Sequence, residues 1–119
     1  MQNAILPKTS KQQDFFHRVW ELAQHIPFGR VTTYGAIAEA LGAKSSSRMV
    51  GYAMNAVDSA HRATDIPAHR VINRNGELSG KHHFATPTLM RELLEAEEVE
   101  FIGERVNLAK HFWQPPMQE

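Results

Sequence analysis

The chain has 119 residues, of which 42% are hydrophobic, and this is typical of one domain with its own core. It contains no cysteine, which excludes a disulfide framework, a thiolate zinc site and a thiol nucleophile. Thirteen basic and thirteen acidic side chains cancel, so the net charge by itself indicates no class of partner. We expect residues 1–119 to form a single domain with loose termini at about 1–9 and 114–119.

The sequence predicts no targeting or membrane segment. Residues 1–7 lack the basic start and apolar run of a signal peptide, and no later stretch approaches the ~20 apolar residues of a membrane span. We therefore expect a cytoplasmic protein that does not bind membranes.

The charges are unevenly distributed along the chain. Residues 44–81 carry six basic and three acidic side chains, whereas residues 82–119 carry three basic and seven acidic ones. A basic centre followed by an acidic tail is typical of a protein with one surface for an anionic partner. An ordinary solvated surface with uneven charges remains the alternative.

Hydrophobic spacing predicts a first helix over residues 10–25, with Ser10 as its N-cap and Pro27 beyond its end. Its apolar side chains recur every three or four positions, at Phe16, Val19, Trp20, Ala23 and Ile26.

Two shorter helices are predicted next, over residues 33–41 and from Ser45 or Ser46 to about residue 58. Gly42 ends the first of them. Two helices joined by a tight turn form the helix-turn-helix pattern, whose second helix enters a groove of DNA, although many such pairs are only packing units. The apolar stripe of the second helix leaves a polar face outward, with Arg48, Gly51, Tyr52 and Asn55.

The second half of the chain predicts a β-hairpin and two helices. Residues 70–72 and 77–79 can pair across an Asn75–Gly76 turn. Thr86 and Pro87 are typical of a helix start and predict a helix to about residue 97, and Asn107 can cap a last helix to His111. The expected fold class is mainly α with a small β-hairpin.

We expect neither a metal nor any other cofactor. His17, Glu21 and His25 share one helix face, but they lie opposite the apolar stripe, which favours a solvated polar face. His82 and His83 are adjacent and so point in different directions. The chain also lacks a glycine-rich phosphate loop and a Gly-x-Ser-x-Gly turn.

Several segments resemble one protein family. They are, in chain order, IPFGRVTTYGAIA (26–38), RMVG (48–51), IPAHRVI (66–72), GEL (76–78) and LLEAE (93–97). Over about residues 12–100, their order and spacing resemble the DNA-binding domain of O6-alkylguanine-DNA alkyltransferases. The reactive segment of that family reads Pro-Cys-His-Arg-Val, and Ala68 stands at the place of its cysteine. The chain is thus similar to the alkyltransferase-like proteins, the non-enzymatic branch of the family.

The resemblance implies a winged helix-turn-helix-like domain that binds duplex DNA, rotates O6-alkylguanine out of the stack and holds it without repair. It implies that Arg48 fills the gap left in the stack and that Tyr34 presses on the adjoining phosphate. Gly51 would allow close approach to the DNA backbone. Ser47 and Asn55 are the other expected DNA contacts.

The resemblance also implies a pocket for the damaged base. Its expected lining is Pro67, Ala68, His69, Arg70, Lys81 and Glu97. Lys81 would lie over the extruded base as a cation over a π face, and Glu97 would hold His69. The chain departs from the family at residues 80–85, which replace a Gly-Tyr-x-Gly-Gly-like lid.

By the same resemblance, the partners are double-stranded DNA carrying O6-alkylguanine and the damage-recognition proteins of nucleotide-excision repair. The protein would act as a monomer near the nucleoid. Two alternatives stay open: an alkyltransferase with an unusual acceptor such as His69, and a helix-turn-helix transcription regulator. Ala68 argues against the first alternative, and the segment 67–71 argues against the second.

Overall fold

A computed structural model of the chain describes residues 7–57 and 66–119, and it confirms the mainly helical class. No helix in these two ranges is long and apolar enough to cross a membrane. The helices are α1 (Pro7–Ala23), α2 (Tyr34–Ala40), α3 (Ser47–Asn55), α4 (Leu89–Ala96) and α5 (Leu108–His111). Two single-turn 3₁₀ helices are formed by Ala68–Arg70 and Lys81–His83.

The ends of the first two helices follow local side-chain chemistry. The helix α1 begins at Pro7 rather than at Ser10, because proline fits a first helical turn, where its missing N–H is not needed. Before α2, the Thr33 hydroxyl accepts the N–H of Ala36 at 3.1 Å, as an N-cap does. Gly42 follows that helix with a φ of 75°, which confirms its predicted role as a stop.

The third helix has the predicted apolar face. Ser46 precedes α3 as its N-cap residue, without a side-chain capping bond, and Val50, Ala53 and Met54 are buried. The predicted end near residue 58 lies outside the described residues.

Helices α1, α2 and α3 enclose the larger of two hydrophobic clusters. The Trp20 indole of α1 is buried in it and donates to the Ala53 carbonyl of α3 at 2.8 Å. This cluster fixes α3 against the other helices by one face only. The second cluster lies under α4 and consists of Val31, Ile72, Met90, Leu94, Val99 and Val106.

The described residues form two small two-stranded sheets, and the first of them joins the two halves of the chain. Strand β1 (Thr32–Thr33) pairs in parallel with β2 (Val71–Ile72), and β3 (Phe101–Ile102) pairs antiparallel with β4 (Arg105–Val106). Because β2 directly follows the 3₁₀ helix Ala68–Arg70, its pairing with β1 brings that helix beside the loop after α1.

The predicted hairpin of residues 70–72 with 77–79 is wrong. The Asn73 side chain closes the turn by accepting the N–H groups of Asn75 and Glu77, each at 2.9 Å. Gly76 then faces β4, where the Val106 N–H donates to its carbonyl at 2.9 Å. The turn exists, but β1 is the partner of β2, and a hairpin is formed instead by β3 and β4.

Two further expectations differ from the structure. The helix predicted from Thr86 begins at Leu89, because residues 86–89 first form a turn in which the Leu89 N–H donates to the Thr86 carbonyl at 3.3 Å. Residues 114–119 were expected to be loose, yet Pro115 is buried and the Gln118 N–H donates to the Ala40 carbonyl at 2.7 Å.

Candidate nucleic-acid interface

The Glu97 carboxylate is the centre of a polar cluster that joins distant parts of the chain. It is only 8% exposed and accepts the Nη2–H of Arg70 at 2.8 Å and the backbone N–H of Gly29 at 2.8 Å. Arg70 also donates from Nη1 to the Ile26 carbonyl at 2.8 Å. We call His69, Arg70, Glu97 and Gly29 the Glu97 cluster. It fixes the 3₁₀ helix Ala68–Arg70 to the end of α4 and to the loop after α1.

The geometry of the Glu97 cluster determines the protonation of His69. Its Nε2 lies 2.7 Å from Glu97 Oε2, and since a carboxylate only accepts, Nε2 carries the proton. Burial lowers the pKa of His69 below 6.5 and outweighs the opposing effect of the bond to Glu97. His69 is therefore a neutral imidazole at neutral pH, with Nδ1 as an acceptor.

Glu97 remains ionised although it is buried. Burial raises the pKa of its carboxyl, but the hydrogen bonds from Arg70, Gly29 and His69 together hold it below the ordinary value of 4.5. The guanidinium of Arg70 lies 5.9 Å from the centre of the Phe28 ring, which is itself largely exposed. The Phe28 ring thus lies beside the Arg70 guanidinium of this ion pair.

Ala68 opens the 3₁₀ helix at the place where the family resemblance puts a sulfur. Its side chain is partly buried and packs on the three-helix cluster. The Ala68 N–H donates to the Ile66 carbonyl at 2.8 Å, so the Ile66–Pro67–Ala68 segment is held in a tight turn. A methyl group is chemically inert, and no residue of the chain supplies a thiol.

Tyr34, the first residue of α2, lies against the loop that follows the Asn75–Gly76 turn. Burial raises the pKa of its phenol above 10, although a hydrogen bond from the Ser79 side chain opposes the shift. A Cβ atom on Gly80 would lie 3.1 Å from the Tyr34 hydroxyl oxygen. The phenol is therefore neutral and closely packed by Ser79 and Gly80.

The outward face of α3 is open to solvent. Ser47, Arg48, Tyr52 and Asn55 are exposed, in agreement with the outward face predicted from the sequence. A Cβ atom on Gly51 would meet nothing within 4 Å. Among the described residues, nothing outside α3 therefore fills the space beside Gly51, and a methyl group there would be free to contact a molecule outside the chain.

Lys81 stands on an exposed turn between two anchored residues. Leu78 and Phe84 pack on the second cluster, whereas Lys81, His82 and His83 between them are exposed. Lys81 lines a cavity of about 570 Å³ together with Glu77, Leu78, Ser79, His82, Pro87, Thr88, Arg91 and Glu104. Neither Ala68 nor His69 contributes to that cavity, so the position of Lys81 over an extruded base stays a prediction.

The structure brings the expected site residues together in three groups. His69, Arg70 and Glu97 form hydrogen bonds with one another, Tyr34 contacts the loop that leads to Lys81, and Arg48 lies on the exposed face of α3. Within residues 7–57 and 66–119, no group of three or more histidine or acidic side chains is placed to hold a metal ion.

Sequence reasoning missed the partners that fix these groups. Gly29 and Ile26 lie inside the first segment of the family resemblance, but the segment Pro27 to Gly29 was interpreted only as the end of the first helix. Their N–H and carbonyl groups hold Glu97 and Arg70. Ser79 ends the predicted hairpin and Gly80 follows it, but nothing in the sequence indicated that these two residues pack on Tyr34.

The fold and site define a DNA-binding domain of a known repair family. Residues 14–99 match the family described as 6-O-methylguanine DNA methyltransferase, DNA binding domain, and the chain belongs to this family. Its similarity to an alkyltransferase-like protein and to a DNA base-flipping protein places it in the alkyltransferase-like branch, and it contains no cysteine that could accept an alkyl group. The family resemblance is thereby confirmed.

Two relatives show how far the similarity extends. The chain is 36% identical over 110 residues to alkyltransferase-like protein 1 of Schizosaccharomyces pombe, covering 88% of this chain and 99% of that protein. It is 34% identical over 109 residues to the DNA base-flipping protein of Escherichia coli, covering 89% and 79%.

Solved structures match in fold as well. A crystal structure of S. pombe Atl1 in complex with damaged DNA containing O6-carboxymethylguanine matches with a TM-score of 0.71 at 35% identity, over 87% of this chain and 97% of that one. Mycobacterium tuberculosis OGT in complex with DNA matches with a TM-score of 0.61 at 37% identity, over 71% of this chain and 50% of that one. The chain thus corresponds to about half of the methyltransferase.

Proposed function

We propose that this protein binds duplex DNA carrying O6-alkylguanine, rotates the damaged nucleotide out of the stack and holds the base without taking its alkyl group. The observation that carries the proposal is the 3₁₀ helix Ala68–Arg70, which Glu97 fixes in place and which presents a methyl group where the family has its thiolate. The similarity to Atl1, whose complex contains O6-carboxymethylguanine, supports the same substrate class.

The open face of α3 suits the first step. A base inside a duplex is reached only by extrusion, which costs a few kcal/mol and costs less for a damaged pair. The exposed Arg48 side chain is long enough to enter the gap and replace part of the lost stacking. Gly51, which has free space around it, lets the helix lie close to the sugar-phosphate backbone.

Tyr34 suits the rotation of the nucleotide. A phenolate would repel a phosphate, but tyrosine is neutral at neutral pH and burial raises the pKa of Tyr34 further, while Ser79 and Gly80 hold its hydroxyl in place. A rigid neutral ring next to the backbone can press the adjoining phosphate without charge repulsion. The nucleotide that turns away from it is then available to the pocket around Ala68.

The pocket around Ala68 suits holding rather than chemistry. His69 uses its Nε2 proton for Glu97 and leaves Nδ1 as an acceptor. Replacement of a thiol by a methyl group also removes one heavy atom, so more volume remains for the O6 substituent. The complex therefore stays non-covalent, and its lifetime is set by the rate at which the protein dissociates.

We propose further that nucleotide-excision repair proteins recognise this complex and that the protein acts as a monomer in the cytoplasm, next to the chromosome. Family resemblance supports the repair partners. Purified repair proteins are incubated with a plasmid that carries the lesion, with and without this protein. The amount of lesion excised tests whether the repair proteins act on the complex. Sedimentation of the free and DNA-bound protein tests the monomer.

The first experiment compares one labelled duplex with and without a single O6-methylguanine by fluorescence anisotropy at fixed salt, followed by intact-protein mass. We expect tighter binding to the damaged duplex and an unchanged mass. Equal binding to both duplexes would refute lesion recognition and favour a sequence-reading regulator. A gain of one methyl group would identify an unusual acceptor and refute the binding-only function.

A further inference from the structure

His111 lies beyond residues 14–99, the part of the chain that matches the DNA-binding domain of the family. It ends α5 and is only 7% exposed. Its ring bridges two backbone groups: Nε2 lies 3.0 Å from the N–H nitrogen of Glu100, and Nδ1 lies 3.0 Å from the carbonyl oxygen of Gly29. A buried side chain is thus bonded at both ring nitrogens.

These two partners determine the tautomer of His111. A backbone N–H only donates, so Nε2 accepts from Glu100 and carries no proton. A carbonyl oxygen only accepts, so Nδ1 carries the proton and donates a hydrogen bond to the Gly29 carbonyl. The imidazole is neutral in this arrangement, and each nitrogen has one defined role.

Gly29 connects His111 to the Glu97 cluster. Its carbonyl accepts from His111, while its own N–H donates to Glu97 Oε1 at 2.8 Å. Its φ of 80° lies in a backbone region that residues other than glycine rarely adopt. Because both polar groups of Gly29 are engaged, its orientation depends on His111 on one side and on Glu97 on the other.

The surrounding backbone keeps His111 in place. The Val31 N–H donates to the His111 carbonyl at 2.9 Å, and the Trp113 N–H donates to the Val31 carbonyl at 2.7 Å. Residues 111–113 therefore lie along the chain immediately after Gly29. Lys110, the residue before His111, forms an ion pair with the Glu100 side chain. Both the ring and its backbone are fixed to the same loop.

We propose that His111 is a positioning residue of the lesion pocket, an inference that rests on the proposed function. Through Nδ1 it fixes Gly29, Gly29 fixes the Glu97 carboxylate, and Glu97 fixes the Nε2–H of His69 and the guanidinium of Arg70. A segment outside the family's DNA-binding domain thereby sets the geometry beside Ala68.

Two substitutions separate this role from simple packing. His111→Asn puts an amide nitrogen near the position of Nδ1, so it keeps the donor to Gly29 and loses the acceptor for Glu100. His111→Gln puts an amide oxygen near the position of Nε2, so it keeps the acceptor for Glu100 and loses the donor to Gly29. Both remove the ring, so each is a control for the other.

We expect His111→Gln to weaken binding to the O6-methylguanine duplex about tenfold, close to 1.4 kcal/mol, with undamaged duplex changed less than about twofold. We expect His111→Asn to retain the preference for damaged DNA. Both variants are compared at a temperature below their measured melting points. Equal losses in the two variants, or losses that follow their melting temperatures, would reduce His111 to a packing residue.

NMR of the unmodified protein provides a test that does not depend on DNA. The ¹⁵N shifts of His111 should show a protonated Nδ1 and an unprotonated Nε2 at neutral pH, and His111→Gln should shift the Gly29 amide and the His69 ring signals. The opposite tautomer or unchanged His69 signals would overturn the inference. The wild-type protein could instead show these NMR signals and bind damaged and undamaged duplexes equally. That result would refute only the proposed function.

Discussion

The hydroxyl oxygen of Tyr34 lies 3.1 Å from the position that a Cβ atom on Gly80 would occupy. The two residues are far apart in sequence, yet their contact sets the distance between α2 and the turn that carries Lys81. A larger residue at position 80 would therefore be restricted by space and not by backbone conformation, since the φ of −88° is available to any residue. The position of the phenol is determined jointly by the two halves of the chain.

Gly80→Ala should displace the Tyr34 hydroxyl by a few tenths of an ångström and weaken its hydrogen bond with Ser79. We expect binding to the damaged duplex to fall by about threefold to tenfold, because positioning errors cost affinity where the nucleotide is rotated. Anisotropy with both duplexes measures the effect. Gly35→Ala is the matched control, since a Cβ there meets nothing within 4 Å; an equal loss in that variant would contradict the mechanism.

Glu97→Gln should destabilise the fold more than a surface change of the same kind. The variant leaves Arg70 partly buried without its carboxylate, and such losses cost about 3 kcal/mol. Glu95→Gln removes an exposed i,i+4 ion pair with Arg91 and should cost less than about 1 kcal/mol. Urea unfolding of the two variants compares the costs. Similar values would show that Glu97 contributes no more than a surface charge.

The stability of the fold should fall on acidification in two steps. The pKa of His69 is depressed in the folded state, so its contribution is present above about 6.5 and is lost as the pH falls through its folded value. The pKa of Glu97 is also depressed, so its contribution is present above about 4.5 and is lost at still lower pH. Urea unfolding between pH 7.5 and about pH 2.5 measures both steps.

The control for the first step is His69→Gln, which cannot titrate and still offers a donor to Glu97. We expect its stability to change less than that of the wild type between pH 7 and pH 5. An unchanged slope in the variant would assign the effect to other histidines.

Local patterns predicted the helices because each helix buries one continuous stripe. Val50, Ala53 and Met54 of α3 are spaced as a helix requires, and the burial of that stripe alone determines which face points outward. For the same reason, Arg48 and Asn55 could be assigned to the exposed face before the structure was known.

Long-range partners could not be predicted in this way. The Asn75–Gly76 turn was identified correctly, but the partner of β2 depends on tertiary packing, which places β1 beside it. The Gly29–Glu97 bond likewise joins residues 68 positions apart. The family resemblance supplied the segment around Ala68 and the Glu97–His69 contact, whereas the backbone groups that hold Glu97 appeared only in three dimensions.

Arg48→Ala should weaken binding to the damaged duplex more than binding to the undamaged one, because only the damaged complex contains a gap in the stack to fill. We expect about a tenfold loss on the lesion and about a twofold to threefold loss on undamaged DNA. Lys44→Ala, which removes another exposed basic side chain near α3, is the control and should weaken both complexes about equally. Equal losses for Arg48→Ala would make Arg48 a phosphate contact only.

Gly51→Ala should change stability and DNA binding in opposite directions. Alanine in the middle of α3 favours the helix by up to about 1 kcal/mol over glycine, and the added Cβ meets no atom within 4 Å among the described residues outside its own helix. The melting temperature should therefore rise. On the proposed DNA-facing surface, the same methyl group meets the sugar-phosphate backbone, so affinity for both duplexes should fall by about tenfold. A thermal melt and an anisotropy titration on one preparation measure both quantities. A stabilised variant with unchanged affinity would show that DNA does not approach α3 at Gly51.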